Sequence, residues 1–413
     1  MAIINPFRAI RPSKEYERII PALPYDVYNR AEAKEVVDNA PHSFLAIDRP
    51  ETQFGPDFDM YSKEAYEKAS SMLREWLSEG SLIQDDKPCY YIYELIMDGR
   101  SQTGIVGCAS IDDYCNNIIK KHENTRADKE QDRINHVDTC NAQTGPIFLA
   151  YRSNEIINGI VNSAMMNDPI YDFANEDHVT HRVWIIDNDS DIKIINHIFS
   201  TMDSIYIADG HHRCASAVKV GLKRRAENPN YTGAEEFNYF LSVLFPDEEL
   251  MIMDYNRVIK DLNGMSEPEL MDKLANVFTI GAPVNTPVRP RYKGEVSMYI
   301  GDKWYPLTMK DEVKSEDPVE GLDVAILQKY VLDELFGIKD PKTDKRIDFV
   351  GGIRGLGELE RRVHTDCKIA FAMCPTSIDE LFNVADAGLL MPPKSTWFEP
   401  KLRSGIFIHD ISK

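Results

Sequence analysis

The stretch SIYIADGHHRCASAVKV (204–220) decides the fold, because it joins a strand to a helix through a single tight turn. Residues 204–208 are mostly β-favouring, and Asp-Gly at 209–210 is a turn signal. The small apolar residues that follow favour a helix, whose first turn holds His211, His212 and Arg213. We therefore predict a strand–turn–helix unit, which is a building block of α/β folds.

The start of this helix predicts a phosphate-binding turn. The first turn of a helix leaves backbone amides without partners and carries a partial positive charge. Three basic side chains there are unfavourable unless an anion compensates them, and arginine offers a fork of donors. Gly210 allows close backbone approach, and Asp209 could hold a Mg²⁺ ion that bridges the phosphates. The alternative is that Asp209 simply caps a solvated first turn.

The rest of the chain alternates strands and helices, which predicts an α/β protein with a mixed sheet. Spacings of three and four predict helices over 62–79 and 322–338, and Asp98-Gly99 predicts a hairpin turn between two strands. The apolar run SFLAI (43–47) reads as a strand. We predict a core over 1–245 and an α/β region over 246–413, whose final loop we expect to return to the active site.

Composition limits the classes of function. The chain has 413 residues and a net charge of −20, from 67 acidic and 47 basic residues, so most of its surface would repel a nucleic acid. The short basic runs at 118–126 and 219–225 are more typical of solvated helix faces. An apolar run long enough to cross a bilayer and a signal-peptide pattern are both missing, so we expect a cytoplasmic protein that does not bind membranes.

Five stretches carry a resemblance to known proteins: PYDV (24–27), KHENT (121–125), NAQTGPIFLAY (141–151), ADGHHR (208–213) and MPPKSTWFEPKLRSG (391–405). Together they resemble a bacterial and archaeal family catalogued as a conserved domain of unknown function. ADGHHR also resembles the phosphate motif of the ParB/sulfiredoxin superfamily, most closely that of its free-serine kinases. The resemblance implies a ParB/sulfiredoxin-like nucleotide-binding core with large insertions, and ATP or ADP with Mg²⁺ as cofactors.

The KHENT stretch is similar to the His-Glu pair of those kinases, in which the glutamate is the catalytic base. The matching residues are His122 and Glu123, which the resemblance implies are catalytic together with Asp209. Here 86 residues separate Glu123 from Asp209, a longer interval than in the small kinases. A carboxylate within hydrogen-bond reach of a substrate hydroxyl can take its proton.

Several further polar residues are candidates for binding. Arg133 could clamp a substrate carboxylate, although Asp132-Arg133 could equally be an ion pair on a helix surface. The other candidates for substrate contact are Tyr25, Asp26, Thr125 and Asn141, with turn capping as the alternative for the first two. Lys394, Ser395 and Thr396 form a rigid loop between prolines that could bind phosphate or be purely structural.

We therefore expect a nucleotide-dependent small-molecule kinase with an alcohol as acceptor, and free L-serine as the first substrate to test. One alternative is a ParB-like, nucleotide-dependent DNA-binding or nuclease-like protein, which the acidic composition disfavours. Another is a sensor that binds a nucleotide or phosphometabolite without catalysis. The expected partners are a nucleotide and a small-molecule substrate, and a homodimer stays open.

Overall fold

The computed structural model describes residues 1–412 and divides them into two compact units. The first unit contains residues 1–250 and 400–412, and the second is Met251–Glu399. The boundary predicted from the sequence lies at 245/246, and the end of the chain was expected in the second region. The structure instead returns the last described residues to the first unit.

A nine-stranded mixed sheet forms the centre of the first unit. The strands of this unit are Ile4–Asn5 (β1), Ile10–Pro12 (β2), Leu82–Gln84 (β3), Tyr90–Met97 (β4), Arg100–Ser110 (β5), Ile119–Lys120 (β6), Ala142–Gln143 (β7), Ile147–Tyr151 (β8), Tyr171–Ala174 (β9), Thr180–Ile186 (β10), Ile205–Asp209 (β11) and Tyr239–Pro246 (β12). The order in the sheet is β6-β11-β8-β12-β5-β4-β10-β9, with β1 beside β5. β6 runs parallel to β11 and β8 parallel to β12, while the other pairs are antiparallel.

Helices supply the apolar side chains that pack against this sheet. They are Arg30–Asn39 (α1), Leu45–Asp48 (α2), Lys63–Glu79 (α3), Ile111–Cys115 (α4), Ala127–Cys140 (α5), Glu155–Ala164 (α6), Asp189–Thr201 (α7) and His211–Glu227 (α8). One core cluster combines sheet residues with Ile157 of α6, Phe199 of α7 and Cys214 of α8. A second cluster joins α1 to α3 with Ile408 from the end of the chain. The predicted α/β class with a mixed sheet is confirmed.

The second unit has a six-stranded sheet in which neighbouring strands run antiparallel. Its strands are Ile252–Met253 (β13), Tyr255–Ile259 (β14), Phe278–Ile280 (β15), Glu295–Ile300 (β16), Lys303–Met309 (β17), Ile347–Gly351 (β18), Ile369–Met373 (β19) and Trp397–Phe398 (β20). Its helices are Glu267–Leu274 (α9), Asp323–Leu327 (α10), Leu356–Thr365 (α11) and Ile378–Asp386 (α12). The short β13 and β20 pair with each other where the chain enters and leaves this unit. After it, His409–Asp410 (β21) pairs with β7 in the first unit.

Two of the predicted elements have the expected form. α3 spans Lys63–Glu79, with Ser62 as its N-cap and Gly80 in the left-handed conformation at its end. β4 and β5 form the predicted hairpin, and Asp98 and Gly99 both have positive φ, as a type I′ turn requires.

Two other predicted elements differ from the structure. The SFLAI run contributes to the short helix α2 rather than to a strand, because a short buried apolar run has no period that separates the two states. The predicted helix over 322–338 stops being α-helical after Leu327 and continues as a π-helical segment over Gln328–Asp333.

The described residues contain no helix that is long and apolar enough to cross a bilayer. All seven cysteines are free thiols, and five of them are buried. Their packing as small apolar side chains agrees with the sequence, which lacks a close pair of cysteines.

Candidate active site

The turn between β11 and α8 forms the centre of the candidate site. Gly210 is the N-cap of α8 and has φ +91°, in the left-handed region that glycine adopts without strain. The Gly210 amide donates to Asp209 Oδ1 at 2.9 Å. Among the described residues, no side chain caps the first turn of α8. The turn is half-buried, so solvent and solutes still reach it. A site that binds an anion requires this access.

Two cations share the Asp209 carboxylate. Lys401 Nζ lies 3.1 Å from Asp209 Oδ2, and Arg213 Nη2 lies 4.0 Å from the same oxygen. Burial alone would raise the pKa of Asp209, but the charges of Lys401 and Arg213 outweigh it and hold that pKa below its usual range. Arg213 also donates to the Pro146 carbonyl at 2.6 Å. The acid is therefore ionised and is held by one residue four positions along the chain and another 192 positions away.

The His-Glu pair lies beside this turn, although 86 residues separate Glu123 from Asp209. β6 and β11 are parallel neighbours in which Ile119 pairs with Ile205 and Lys120 with Tyr206. Directly after this pairing, the His122 amide contacts His211 Nε2 at 3.4 Å, so the segment His122–Glu123 lies beside the turn. Glu123 is half-buried there, directly after the buried His122. The sheet thus brings the two sequence motifs together.

The histidines of the site are held by backbone contacts. The backbone amide of His122 donates to His211 Nε2 at 3.4 Å, and the two rings meet edge to face. Burial lowers the pKa of His122 to about 4 and holds the pKa of His211 well below its usual value, so both rings are neutral at pH 7. His212 Nε2 accepts a hydrogen bond from the amide of Arg126 at 2.9 Å. Of the three predicted cations in this turn, only Arg213 has a side chain, the guanidinium, that stays protonated at every pH a protein meets.

A small cavity connects Arg213 with two of the predicted substrate residues. The cavity has a volume of about 30 Å³, and Tyr25, Arg133 and Arg213 are among its lining residues. Arg133 lies over the Tyr25 ring, 4.0 Å from its centroid, and pairs with Asp132 at 2.9 Å. Burial raises the pKa of Tyr25 to about 12, so its phenol keeps its proton. The Asp132-Arg133 pair is therefore a buried one, not the exposed ion pair that the sequence left open.

Tyr25 and Arg133 also form one wall of a larger cleft of about 340 Å³. Asp26 lines this cleft and is exposed. Thr125 precedes Arg126, whose amide contacts His212, and the Thr125 hydroxyl donates to Glu130 Oε2 at 2.8 Å. Four of the five predicted substrate residues thus lie on connected elements around the turn.

Asn141 does not belong to this group of residues around the turn. It ends α5 in a left-handed conformation, and its Oδ1 accepts a hydrogen bond from Arg224 at 2.8 Å. Arg224 follows Arg213 by eleven positions in α8, which corresponds to about 16 Å along the helix axis. The role of Asn141 in the structure is therefore that of a helix cap.

Lys394, Ser395 and Thr396 belong to the second unit. The Ser395 hydroxyl donates to the Pro392 carbonyl at 2.6 Å, and Lys394 Nζ lies 5.6 Å from the centre of the Tyr255 ring. The Lys394 carbonyl accepts a hydrogen bond from the buried Arg257. These contacts are those of an ordered loop, and phosphate binding by it stays a prediction.

The residues around Asp209 do not fit a protein-held magnesium ion. Lys401 and Arg213 already neutralise its outer oxygen, and a cation there would have to displace the ammonium group. No group of three or more His, Cys, Asp or Glu side chains gathers as a metal site within residues 1–412. A single carboxylate can still share a Mg²⁺ ion with phosphate groups, but only where no competing cation holds it.

The basic run at 219–225 is neutralised within the protein. Lys219 pairs with Glu130, Lys223 and Arg224 both pair with Asp138, and Arg225 pairs with Asp112. Paired side chains of this kind do not form the positive surface that a phosphate backbone requires. The run is therefore a helix face whose charges are paired within the protein, with Arg224 and Arg225 only 14% exposed.

Residues 4–325 match the family model described as "Protein of unknown function (DUF1015)". The chain is a member of the DUF1015 family. This confirms the family that the five sequence stretches indicated. The segment that carries Lys401 lies outside the matched residues. The curated proteins include no significant match to this DUF1015 protein.

Solved structures give distant similarities. A C-terminally truncated SbnI from Staphylococcus aureus is 11% identical, with 71% of this chain and 82% of that chain covered and a TM-score of 0.38. A mutant free serine kinase in complex with AMP is 15% identical, with 74% and 92% covered and a TM-score of 0.37. A conserved hypothetical protein from Pyrococcus furiosus is 15% identical, with 74% and 94% covered and a TM-score of 0.34. Scores this low leave the site to be interpreted from its own residues.

Three residues of the site were missed at the sequence level. Lys401 reaches Asp209 from 192 positions away. Asp48 and His136 line the small cavity, where Asp48 Oδ1 accepts a hydrogen bond from Thr144 at 2.8 Å and His136 Nε2 contacts the Ile47 carbonyl at 2.9 Å. Local patterns contain no signal for these contacts, although PKLRSG was part of the stretch that indicated the family.

Proposed function

We propose that this protein is a nucleotide-dependent small-molecule kinase that phosphorylates the hydroxyl of free L-serine. The observation that carries the proposal is the juxtaposition of His122 and Glu123 with the turn at 209–213 through the parallel strands β6 and β11. The same two motifs are those whose resemblance to free-serine kinases the sequence indicated. Their proximity in the fold supports the proposal despite the long interval between them in the sequence.

The chemistry is a transfer of the terminal phosphoryl group of ATP or ADP. The substrate hydroxyl oxygen attacks the terminal phosphorus, the bond from that phosphorus to the bridging oxygen breaks, and the shortened nucleotide leaves. Glu123 takes the hydroxyl proton. The charges of Arg213 and the start of α8 stabilise the phosphoryl oxygens, because phosphoryl transfer depends mainly on positioning and charge neutralisation.

The acceptor binds beside Tyr25 and Arg133. Arg133 is buried and carries a fixed fork of donors, which suits a carboxylate. Asp26 lines the same cleft, and Asp26 and Thr125 supply polar contacts to the acceptor. His122 is neutral and packs on His211, so its part is to position the Glu123 segment. Magnesium enters with the phosphates of the nucleotide, which carry its ligands.

The test is a phosphorylation assay with Mg²⁺, ATP or ADP and a panel of amino acids, with products identified by mass spectrometry. We expect O-phosphoserine from the wild type. Glu123→Gln should reduce turnover by about a hundredfold or more with unchanged nucleotide affinity, because it removes the base and keeps the shape. Arg213→Ala should weaken nucleotide binding itself. Glu75→Gln, on the exposed face of α3, is the matched control.

Each alternative has its own outcome in the same experiments. Full activity of the Glu123→Gln protein would remove Glu123 as the base. Nucleotide binding without any phosphorylated amino acid would favour the sensor. A gel shift of duplex DNA that weakens steeply with salt would favour the ParB-like alternative.

A further inference from the structure

The guanidinium of Arg133 is buried at the cleft, and only part of its hydrogen-bonding capacity is used. Arg133 is 6% exposed and lines both the small cavity and the larger cleft. Its Nε donates to Asp132 Oδ2 at 3.0 Å, and its Nη2 lies 2.9 Å from the same oxygen. Its Nη1 donates to no described residue. A guanidinium presents its donors as a planar fork, so Arg133 keeps donors for a ligand.

The carboxylate that holds Arg133 is itself held from another helix. The hydroxyl of Tyr66, in α3, donates to Asp132 Oδ1 at 2.9 Å, while Asp132 Oδ2 faces Arg133. Tyr66 is buried, and burial together with the charge of Asp132 raises the pKa of its phenol, so the phenol keeps its proton and donates. The two oxygens of Asp132 therefore bind one donor from α3 and one from α5.

The Tyr25 ring, against which Arg133 lies, is also fixed. The guanidinium carbon of Arg133 is 4.0 Å from the centre of this ring. Arg49 Nη1 donates to the backbone carbonyls of Tyr25 at 3.0 Å and of Tyr28 at 2.8 Å, and Arg49 pairs with Glu51 at 2.6 Å. The guanidinium of Arg133 is thus held at its edge by Asp132 and on its face by Tyr25. A fork fixed in this way loses little conformational freedom when it binds a planar anion.

We propose that Tyr66 is a positioning residue of the acceptor site, which through Asp132 fixes Arg133 to bind a carboxylate of the acceptor. The substrate class is then a hydroxy compound that carries a carboxylate, and an amino alcohol without one is rejected. The proposal rests on the proposed function for the reaction. It adds the group of the acceptor that is recognised and the residue that orients its ligand.

Phosphorylation of L-serine and of ethanolamine, which is serine without its carboxylate, tests this assignment. We expect the wild type to prefer L-serine by about a hundredfold or more in kcat/KM. Tyr66→Phe should raise the KM for L-serine by about tenfold with kcat and ADP affinity unchanged, because the bond that fixes Asp132 is lost. The KM for ethanolamine should not change. Tyr151→Phe is the matched control, since Tyr151 is also buried and its hydroxyl bonds to no described residue.

Asp132→Asn tests the same line of contacts with Tyr66 intact. The amide keeps the shape of the carboxylate but pairs more weakly with Arg133, so the KM for L-serine should again rise while that for ethanolamine stays unchanged. This variant decides the matter if Tyr66→Phe fails to fold. Thermal unfolding of each variant separates a selective effect on the acceptor from a general loss of stability.

The outcomes separate this assignment from the kinase proposal. A Tyr66→Phe protein whose KM for L-serine stays within about twofold of wild type, or rises equally for ethanolamine, would overturn the positioning role and leave the kinase proposal intact. Equal use of both alcohols by the wild type would overturn the recognition of a carboxylate. If the wild type phosphorylates neither, the kinase proposal fails, and calorimetric binding of L-serine decides the assignment. Binding that Tyr66→Phe weakens would support it, and a wild type that does not bind L-serine would overturn both.

Discussion

At the scale of single residues, Gly210 shows why the turn requires glycine. Its φ of +91° is strained for any side chain, and a Cβ atom there would lie 3.1 Å from two guanidinium nitrogens of Arg213. The sequence indicated that glycine would let a phosphate approach the backbone. The structure shows that the guanidinium of Arg213 approaches it, so conformation and packing both select glycine.

Gly210→Ala separates these two effects when it is compared with Gly233→Ala. Gly233 also has φ +91°, but a Cβ atom added there would have no described neighbour within 4 Å. Each substitution should lower the free energy of unfolding by about 1–2 kcal/mol through backbone strain. Only Gly210→Ala should also weaken ADP binding, because it displaces Arg213. Urea unfolding and calorimetry measure the two effects, and equal ADP affinities would contradict this account.

At the scale of secondary structure, α8 is shaped as much by its neighbours as by its sequence. Gly221 lies inside this helix, where glycine is normally less favourable than alanine by about 1 kcal/mol. A Cβ atom at this position would lie 2.4 Å from the Phe237 carbonyl oxygen and 2.7 Å from Ile111 Cδ1. The glycine allows α8 to approach the segment just before β12 closely.

Gly221→Ala should therefore destabilise the protein by about 2 kcal/mol, since the clash with a backbone atom exceeds the gain in helix propensity. Gly159→Ala is the matched control, because Gly159 lies in α6 and an added Cβ atom would meet no described atom within 4 Å. There the substitution should stabilise by up to about 1 kcal/mol. Opposite signs in denaturant unfolding are expected, and stabilisation by both substitutions would show that α8 can move away from Phe237.

At the scale of the whole molecule, the second unit is an insertion into the first. The chain leaves the first unit after Leu250 and returns at Pro400. Ile252 and Phe398 are strand partners, so the two crossing points lie about 5 Å apart there. The core clusters around the nine-stranded sheet and around α1 to α3 consist of residues from the first unit.

A shortened protein in which a flexible linker of about six residues replaces residues 251–399 should fold, because that linker spans the gap. It should bind ADP with the affinity of the full chain, since Asp209, Arg213 and Lys401 all lie in the first unit. Circular dichroism and calorimetry measure the two properties. A folded protein that has lost ADP binding would instead support the assignment of Lys394, Ser395 and Thr396 to the phosphates.

Prediction from the sequence succeeded where local chemistry decides. Ser62 and Gly80 mark the ends of α3, and Asp98-Gly99 forms the turn between β4 and β5, because caps and turns depend on neighbouring residues. Prediction failed for SFLAI, because burial rather than the spacing of apolar residues decides between helix and strand there. For Asn141, the polar side chain suggested substrate contact, whereas in the structure the residue ends α5 and its Oδ1 accepts a hydrogen bond from Arg224.

The sequence by itself determined the strand–turn–helix unit, the mixed α/β class and the presence of both a phosphate-like motif and a His-Glu motif, because each of these is read from residues that are close together in the chain. Only the tertiary structure decided which distant residues meet there. The register of β6 against β11 sets Glu123 beside the turn, and the return of the chain after the inserted unit sets Lys401 on Asp209. Such contacts follow from strand pairing and burial over the whole chain, and no local pattern encodes them.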